Sequence, residues 1–206
     1  MLIEKKIVLT LFWVIFAYGC SPKLINIPVK LDESKAKTLL MDGGNTINGQ
    51  VRNLVKDGIM VSCANESVSL VPATDYAREW VRYYYETDSG KYGTDRSAYR
   101  LNDKEKPVRF ENADRFYHLT KTTKCDDDGE FSFEKVHDGD FYVVTKVRWL
   151  GQDHEYYDFM WGTSKAQEQD GSLMAKVMLR GGTTKNVSWP LGAAEILDGE
   201  ALGASR

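Results

Sequence analysis

Residues 124–149 constrain the fold more than any other part of the chain. They contain two runs in which apolar and polar residues alternate, and an Asp-Gly pair precedes each run, at Asp128-Gly129 and at Asp138-Gly139. Alternation with a period of two among Val, Thr, Phe and Tyr is typical of β-strands, and Asp-Gly is a turn signal between paired antiparallel strands. This segment therefore predicts an antiparallel β-sheet fold.

Similar short runs occur on both sides of this segment, between turns rich in Gly, Pro, Asn and Asp. They lie at residues 46–51, 59–63, 68–72, 113–125, 172–180 and 184–191. A chain of 206 residues is long enough for one domain with a substantial core. Seven to eight short strands at this spacing predict an all-β, antiparallel β-sandwich.

The hydrophobic period changes inside an insertion at residues 73–112. Thr74 can cap a helix, and aromatic residues then recur at helical spacing, at Tyr76, Trp80, Tyr83 and Tyr84. The sequence predicts one short helix here, added to the sandwich.

The N-terminus resembles a bacterial lipoprotein leader. Two lysines precede an uncharged run of 11 residues, at positions 7–17, which is too short to span a bilayer as a helix. The run ends in Ala-Tyr-Gly-Cys, which is similar to a lipobox in which Cys20 is acylated. We therefore expect residues 1–19 to be a signal peptide and Cys20 to hold the protein in a membrane. A leader cleaved elsewhere and an uncleaved anchor are the alternatives.

The expected cellular location and the first domain boundaries follow from that leader. Ser21 after the cysteine resembles the default sorting to an outer membrane, so we expect a cell-envelope protein facing the periplasm or the cell surface. Residues 20–45 are interpreted as the lipidated N-terminus and a tether, with a short helix near 33–41. The β-sandwich spans 46–191, and 192–206 form a tail.

Two cysteines remain once Cys20 is assigned to the lipid. Cys63 and Cys125 would lie in an oxidising compartment, where an even pair most simply forms a disulfide. Closing a loop of this length stabilises a fold by roughly 4 kcal/mol in the chain-entropy model. Two buried free thiols are the alternative.

Composition and motifs exclude several classes of function. A net charge of −3 and a pI of about 5.7 give no electrostatic basis for nucleic-acid binding. The chain lacks G-x-S-x-G, P-loop and G-x-G-x-x-G motifs, and His154 begins H-E-Y-Y-D rather than H-E-x-x-H. The acidic cluster at 126–130 lacks the spacing of an EF-hand loop and is interpreted as a solvated turn. We therefore expect no catalytic residue, metal or cofactor.

Four stretches carry a family resemblance. They are I-N-G-Q-V, V-S-L-V-P, T-K-C-D-D-D-G-E-F-S-F and G-D-F-Y-V-V, within residues 46–191. They resemble the carboxypeptidase regulatory-like family, whose members have a transthyretin-like (prealbumin-type) β-sandwich. The resemblance implies a non-catalytic accessory domain and carries no active site with it.

Aromatic residues are the remaining candidates for a binding site. The two insertions, 73–112 and 151–171, carry the candidate residues Trp80, Tyr83, Tyr84, Tyr156, Tyr157 and Trp161. Such rings either stack on sugars and anchor protein partners, or pack the helix on the sandwich and cover an edge strand. We favour the packing interpretation. Together with the leader, it indicates a lipid-anchored envelope protein with a structural or interaction role. A glycan- or protein-binding module is the alternative, and an envelope hydrolase is the third possibility.

Overall fold

The computed structural model describes residues 23–51, 54–56, 59–94, 108–152 and 166–189. Its strands are β1 Lys23–Ile25, β2 Asp42–Gln50, β3 Leu54–Lys56, β4 Ile59–Val61, β5 Ser67–Pro72, β6 Lys91–Thr94, β7 Val108–Phe110, β8 Lys121–Lys124, β9 Glu130–Val136, β10 Gly139–Gln152, β11 Ala166–Leu179 and β12 Thr184–Ser188. Its helices are α1 Glu33–Leu39, α2 Asp75–Tyr85 and α3 Ala113–Tyr117. No helix among these residues is long and apolar enough to cross a bilayer.

Two sheets form the sandwich. The larger has five antiparallel strands in the order β6-β11-β10-β5-β8, and the smaller has three in the order β12-β2-β9. The predicted all-β sandwich is confirmed. Its one departure from antiparallel pairing inside these sheets is β12, which lies parallel to β2.

The first core fills the space between the two sheets. Strand alternation places Ile47 and Phe131 of the small sheet against Leu70 and Val143 of the large sheet, and all four side chains are buried. A disulfide joins Cys63 to Cys125 within this core, with Cα atoms 5.9 Å apart. The disulfide that the sequence predicted is therefore confirmed.

A second core covers the other face of the five-stranded sheet. The strand residues whose side chains point away from the first core, such as Tyr142 and Val144, are buried against α2 and its neighbours. The molecule therefore has three layers: the small sheet, the large sheet, and an outer layer made of β1, β7 and the three helices.

Helix α2 forms where the sequence predicted a helix. The Thr74 side chain accepts a hydrogen bond from the Ala77 backbone N–H at 3.2 Å, which is standard N-capping, and Glu86 ends the helix in the left-handed conformation. Its buried face includes Tyr76, Trp80 and Tyr85.

Two local predictions need correction. Residues 113–117 form α3 rather than the start of a strand, because Ala113 and Phe116, three positions apart, are both buried on one helical face. The strand begins only at Lys121. The expected tether also ends early: β1 pairs with β7, Ile27 and Leu31 are buried, and residues from Lys23 onward belong to the folded unit.

Candidate ligand-binding groove

A groove of about 660 Å³ lies on the outer face of the three-stranded sheet. Its lining is mostly amide, hydroxyl and charged side chains, together with the strand backbone. The lining residues are Asn48, Gly49, Gln50, Lys124, Asp126, Glu130, Phe131, Ser132, Asn186, Val187 and Ser188.

Strand alternation creates this polar face. In β2, Ile47 and Gly49 face the core, so Asn48 and Gln50 face outward. The same alternation in β9 buries Phe131 and Phe133 and exposes Glu130 and Ser132. Side chains that the core excludes therefore form the groove.

The register arranges these side chains as two rows across three strands. Asn186, Asn48 and Ser132 form one row, and Ser188, Gln50 and Glu130 form the other. Neighbouring positions in a row lie about 4.8 Å apart, and the rows are separated by about 6.7 Å along the strands.

Hydrogen bonds between strands fix two of the amides. Ser132 Oγ donates to Asn48 Oδ1 at 3.0 Å, and Gln50 Nε2 donates to Glu130 Oε1 at 3.1 Å. Within the described residues, Asn48 Nδ2 and Gln50 Oε1 make no further hydrogen bond. Each amide is thus oriented by a neighbour and still presents a polar atom to a ligand.

The acidic turn closes one end of the groove. Asp126 Oδ1 accepts hydrogen bonds from the backbone N–H groups of Asp128 and Glu130, at 3.0 and 2.8 Å. This is the turn role expected from the sequence. No cluster of potential metal ligands occurs in the described part of the chain.

Gly49 permits close packing under the groove. A Cβ at this position would lie 1.9 Å from the Phe131 ring, so any larger residue would displace the ring. Phe131 is itself only 6% exposed. Binding in this part of the groove would therefore rely on hydrogen bonds rather than on ring stacking.

The aromatic candidates from the sequence lie away from the groove. Trp80 is 1% exposed and packs against Phe116, with ring centroids 5.4 Å apart, so it has no surface for a ligand. Tyr84 is half-buried, whereas Tyr83 is 45% exposed. Cys20, Tyr156, Tyr157 and Trp161 lie outside the described residues.

Sequence reasoning missed the groove residues. The available signal was the polar half of each alternating strand, with Asn48 and Gln50 in β2 and Asn186 in β12. What the sequence did not reveal was the parallel pairing of β12 with β2, which joins segments 138 positions apart.

No family model matches the chain, and no curated protein matches it. The chain is similar to a solved structure from Pseudomonas aeruginosa named as a "putative carbohydrate binding protein", with a TM-score of 0.54 and 22% sequence identity. The match covers 78% of this chain and 97% of that one. At this identity the likeness shows a shared fold. Membership of the carboxypeptidase regulatory-like family stays a prediction.

Proposed function

We propose that this protein is a non-catalytic carbohydrate-binding module, anchored in the cell envelope by lipid at Cys20. The observation that carries the proposal is the pair of polar rows on the small sheet. Asn48 and Gln50 stand at the centre of these rows and are held there by Ser132 and Glu130.

The chemistry of the rows suits a sugar. Sugar hydroxyls both donate and accept hydrogen bonds, and the two amides offer them a donor, Asn48 Nδ2, and an acceptor, Gln50 Oε1. Because neighbouring strands already orient these amides, binding costs less side-chain entropy than it would on a flexible surface. The name of the similar solved structure supports the same class of ligand.

A binding role fits the groove better than hydrolysis. Glycoside hydrolases generally use two carboxyl groups that flank the scissile bond, one as acid and one as base or nucleophile. Here Asp126 uses one carboxylate oxygen to hold its own turn, and Glu130 accepts from Gln50. Both carboxylates of the groove therefore have structural partners.

The envelope location rests on two features. The leader resembles that of a lipoprotein, and the remaining cysteines form a disulfide, which persists in exported compartments and is rare in the cytosol. Several acyl chains on Cys20 would anchor the protein stably, since each buried CH₂ contributes about 0.8 kcal/mol.

A glycan array probed with the mature domain tests the ligand class. We expect binding to one group of related glycans, and each of Asn48→Ala and Gln50→Ala to weaken it about tenfold, because the loss of one hydrogen bond costs about 1–1.5 kcal/mol. Thr122→Ala, which removes an exposed polar group from the large sheet, is the control and should bind as wild type does. Absence of glycan binding, or equal binding by all variants, would reject the proposal.

A further inference from the structure

An aromatic surface lies on the outer layer, on the opposite side of the molecule from the groove. Tyr83 of α2 is 45% exposed. Its ring meets Phe110 at 5.0 Å and Tyr84 at 5.4 Å between centroids, both edge to face. The aromatic surface, as we call these three residues, presents Tyr83 outward on a support of rings that are buried or half-buried.

This surface is joined directly to the N-terminal strand. Phe110 pairs in register with Ile25 of β1, and the Glu111 N–H donates to the Ile25 carbonyl oxygen at 3.0 Å. Strand β1 begins at Lys23, three positions after Cys20. Since an extended chain covers at most about 3.6 Å per residue, the Cα atoms of Cys20 and Lys23 can be no more than about 11 Å apart.

The short connection between Cys20 and β1 limits the positions that an anchored domain can adopt relative to the membrane. If Cys20 carries acyl chains in the bilayer, β1 must lie within about 11 Å of the lipid headgroups. The layer that contains β1 and the aromatic surface covers the five-stranded sheet, whereas the groove lies on the far face of the three-stranded sheet. Packed sheets are about 10 Å apart, so the whole thickness of the sandwich separates the aromatic surface from the groove.

We propose that the aromatic surface rests on the bilayer and that the groove faces away from it. The proposal depends on the lipid anchor of the proposed function and not on the identity of the glycan. A tyrosine suits this position, because its ring enters the apolar side of the membrane interface while its hydroxyl stays hydrated.

The charges beside Tyr83 indicate which lipids are needed. Arg78 and Arg82 both pair with Asp88, at 3.4 and 3.1 Å, and each also contacts an acidic residue one turn earlier on α2. Because these cations are already neutralised locally, docking does not require anionic lipid. Vesicles of phosphatidylcholine alone should be sufficient.

Fluorescence quenching of the full-length, acylated protein on phosphatidylcholine vesicles tests the orientation. Cys63 and Cys125 are bonded and, under this proposal, Cys20 is acylated, so a single new cysteine accepts a bimane label at Tyr83→Cys or, as control, at Thr184→Cys on the outer face of the small sheet. We expect brominated phosphatidylcholine to reduce emission at position 83 at least twofold and to leave position 184 unchanged. Quenching at 184, or at neither site, overturns the proposal.

A second measurement uses the unsubstituted side chain, in case Tyr83→Cys fails to fold. Hydroxyl-radical oxidation of Tyr83 should be at least halved when wild-type protein is on vesicles, compared with the Cys20→Ala variant, which cannot carry acyl chains at that position. Equal oxidation overturns the proposal, and so does a mass spectrum without acyl chains on Cys20. Either result leaves the proposal of glycan binding by the groove untouched. Conversely, a failure to bind glycan would leave the proposed orientation on the membrane untouched.

Discussion

Asn45 connects three separate parts of the chain through one buried side chain. It is 0% exposed. Its Nδ2 donates to the Val136 carbonyl oxygen at 2.9 Å and to Asp138 Oδ1 at 2.8 Å, while its Oδ1 accepts from the Thr183 N–H at 2.8 Å. One amide thereby holds β2 to the end of β9, to the turn before β10 and to the turn before β12. The groove depends on this arrangement, because β2, β9 and β12 carry its rows.

Replacing Asn45 should destabilise the fold far more than replacing a groove amide. In Asn45→Ala the buried Val136 carbonyl and the partly buried Thr183 N–H lose these hydrogen bonds, and a buried group left unpaired costs about 1–3 kcal/mol. Asn48→Ala, on the exposed face of the same strand, should change the free energy of unfolding by no more than about 0.5 kcal/mol. Urea denaturation measures both, and equal small losses would contradict the role given to Asn45.

Asp138 makes part of this stability depend on pH. The hydrogen bond from Asn45, and then the one from the Gly181 N–H at 3.0 Å, hold the pKa of the Asp138 carboxyl below its usual range. Because the pKa is lower in the folded state, the stabilisation is present above the unfolded pKa of about 3.9 and is lost as the pH falls through the folded value.

Asp138→Asn should therefore be less sensitive to acid than wild type. We expect the melting temperature of wild type to approach that of the variant as the pH falls from about 6 towards 2, because protonation removes the same charge that the substitution removes. Parallel melting curves over that range would show that Asp138 contributes nothing to the acid response.

At the scale of elements, α2 was predictable and α3 was not. Helix α2 has an N-cap at Thr74 and a buried stripe that recurs over three turns, so its period stands out in the sequence. Helix α3 has only five residues, and Phe116, His118 and Thr120 recur at the two-residue spacing that also suits a strand. Packing of Phe116 against Tyr76 and Trp80 decides the conformation, and that contact is tertiary.

Trp80 anchors α2 to the second core. Its ring lies between Phe116 and Tyr84, with centroids 5.4 and 5.2 Å away, and the residue is almost entirely buried. Trp80→Ala should cost about 3–5 kcal/mol, since it removes a large ring from a packed site. Tyr83→Ala, three positions further along the same helix at an exposed site, is the control and should cost much less.

Thermal melts of the two variants separate the roles of these aromatic residues. A Trp80→Ala variant that melts within a degree or two of wild type would mean that the helix is not held by this ring. The sequence favoured core packing over a binding surface, and the burial of Trp80 agrees with that prediction, although periodicity identifies a stripe and not what covers it.

For the whole molecule, the sandwich was readable from the sequence and the groove was not. Alternation and Asp-Gly turns are local signals, so they identify strands such as β9 and β10 directly. The groove needs positions 48, 132 and 186 side by side, and only the pairing of distant strands provides that. Local patterns do not encode this pairing.

The disulfide ties the whole fold together across 62 positions. The double variant Cys63→Ala/Cys125→Ala should lose about 2–5 kcal/mol, because the unfolded chain regains the entropy of an open loop. Urea denaturation provides the measurement: the midpoint of the double variant is compared with the midpoints of oxidised and of reduced wild type. A double variant as stable as oxidised wild type would show that the bond contributes no net stability.

The central claim is that the polar rows of the small sheet bind carbohydrate. The most direct test is an NMR titration of the ¹⁵N-labelled mature domain with a glycan that the array identifies. We predict that the backbone amides that shift lie in β2, β9 and β12, around Asn48, Ser132 and Asn186, and that Asn48→Ala reduces these shifts. Shifts centred on α2 and Tyr83, or no shifts at any glycan concentration, would contradict the claim.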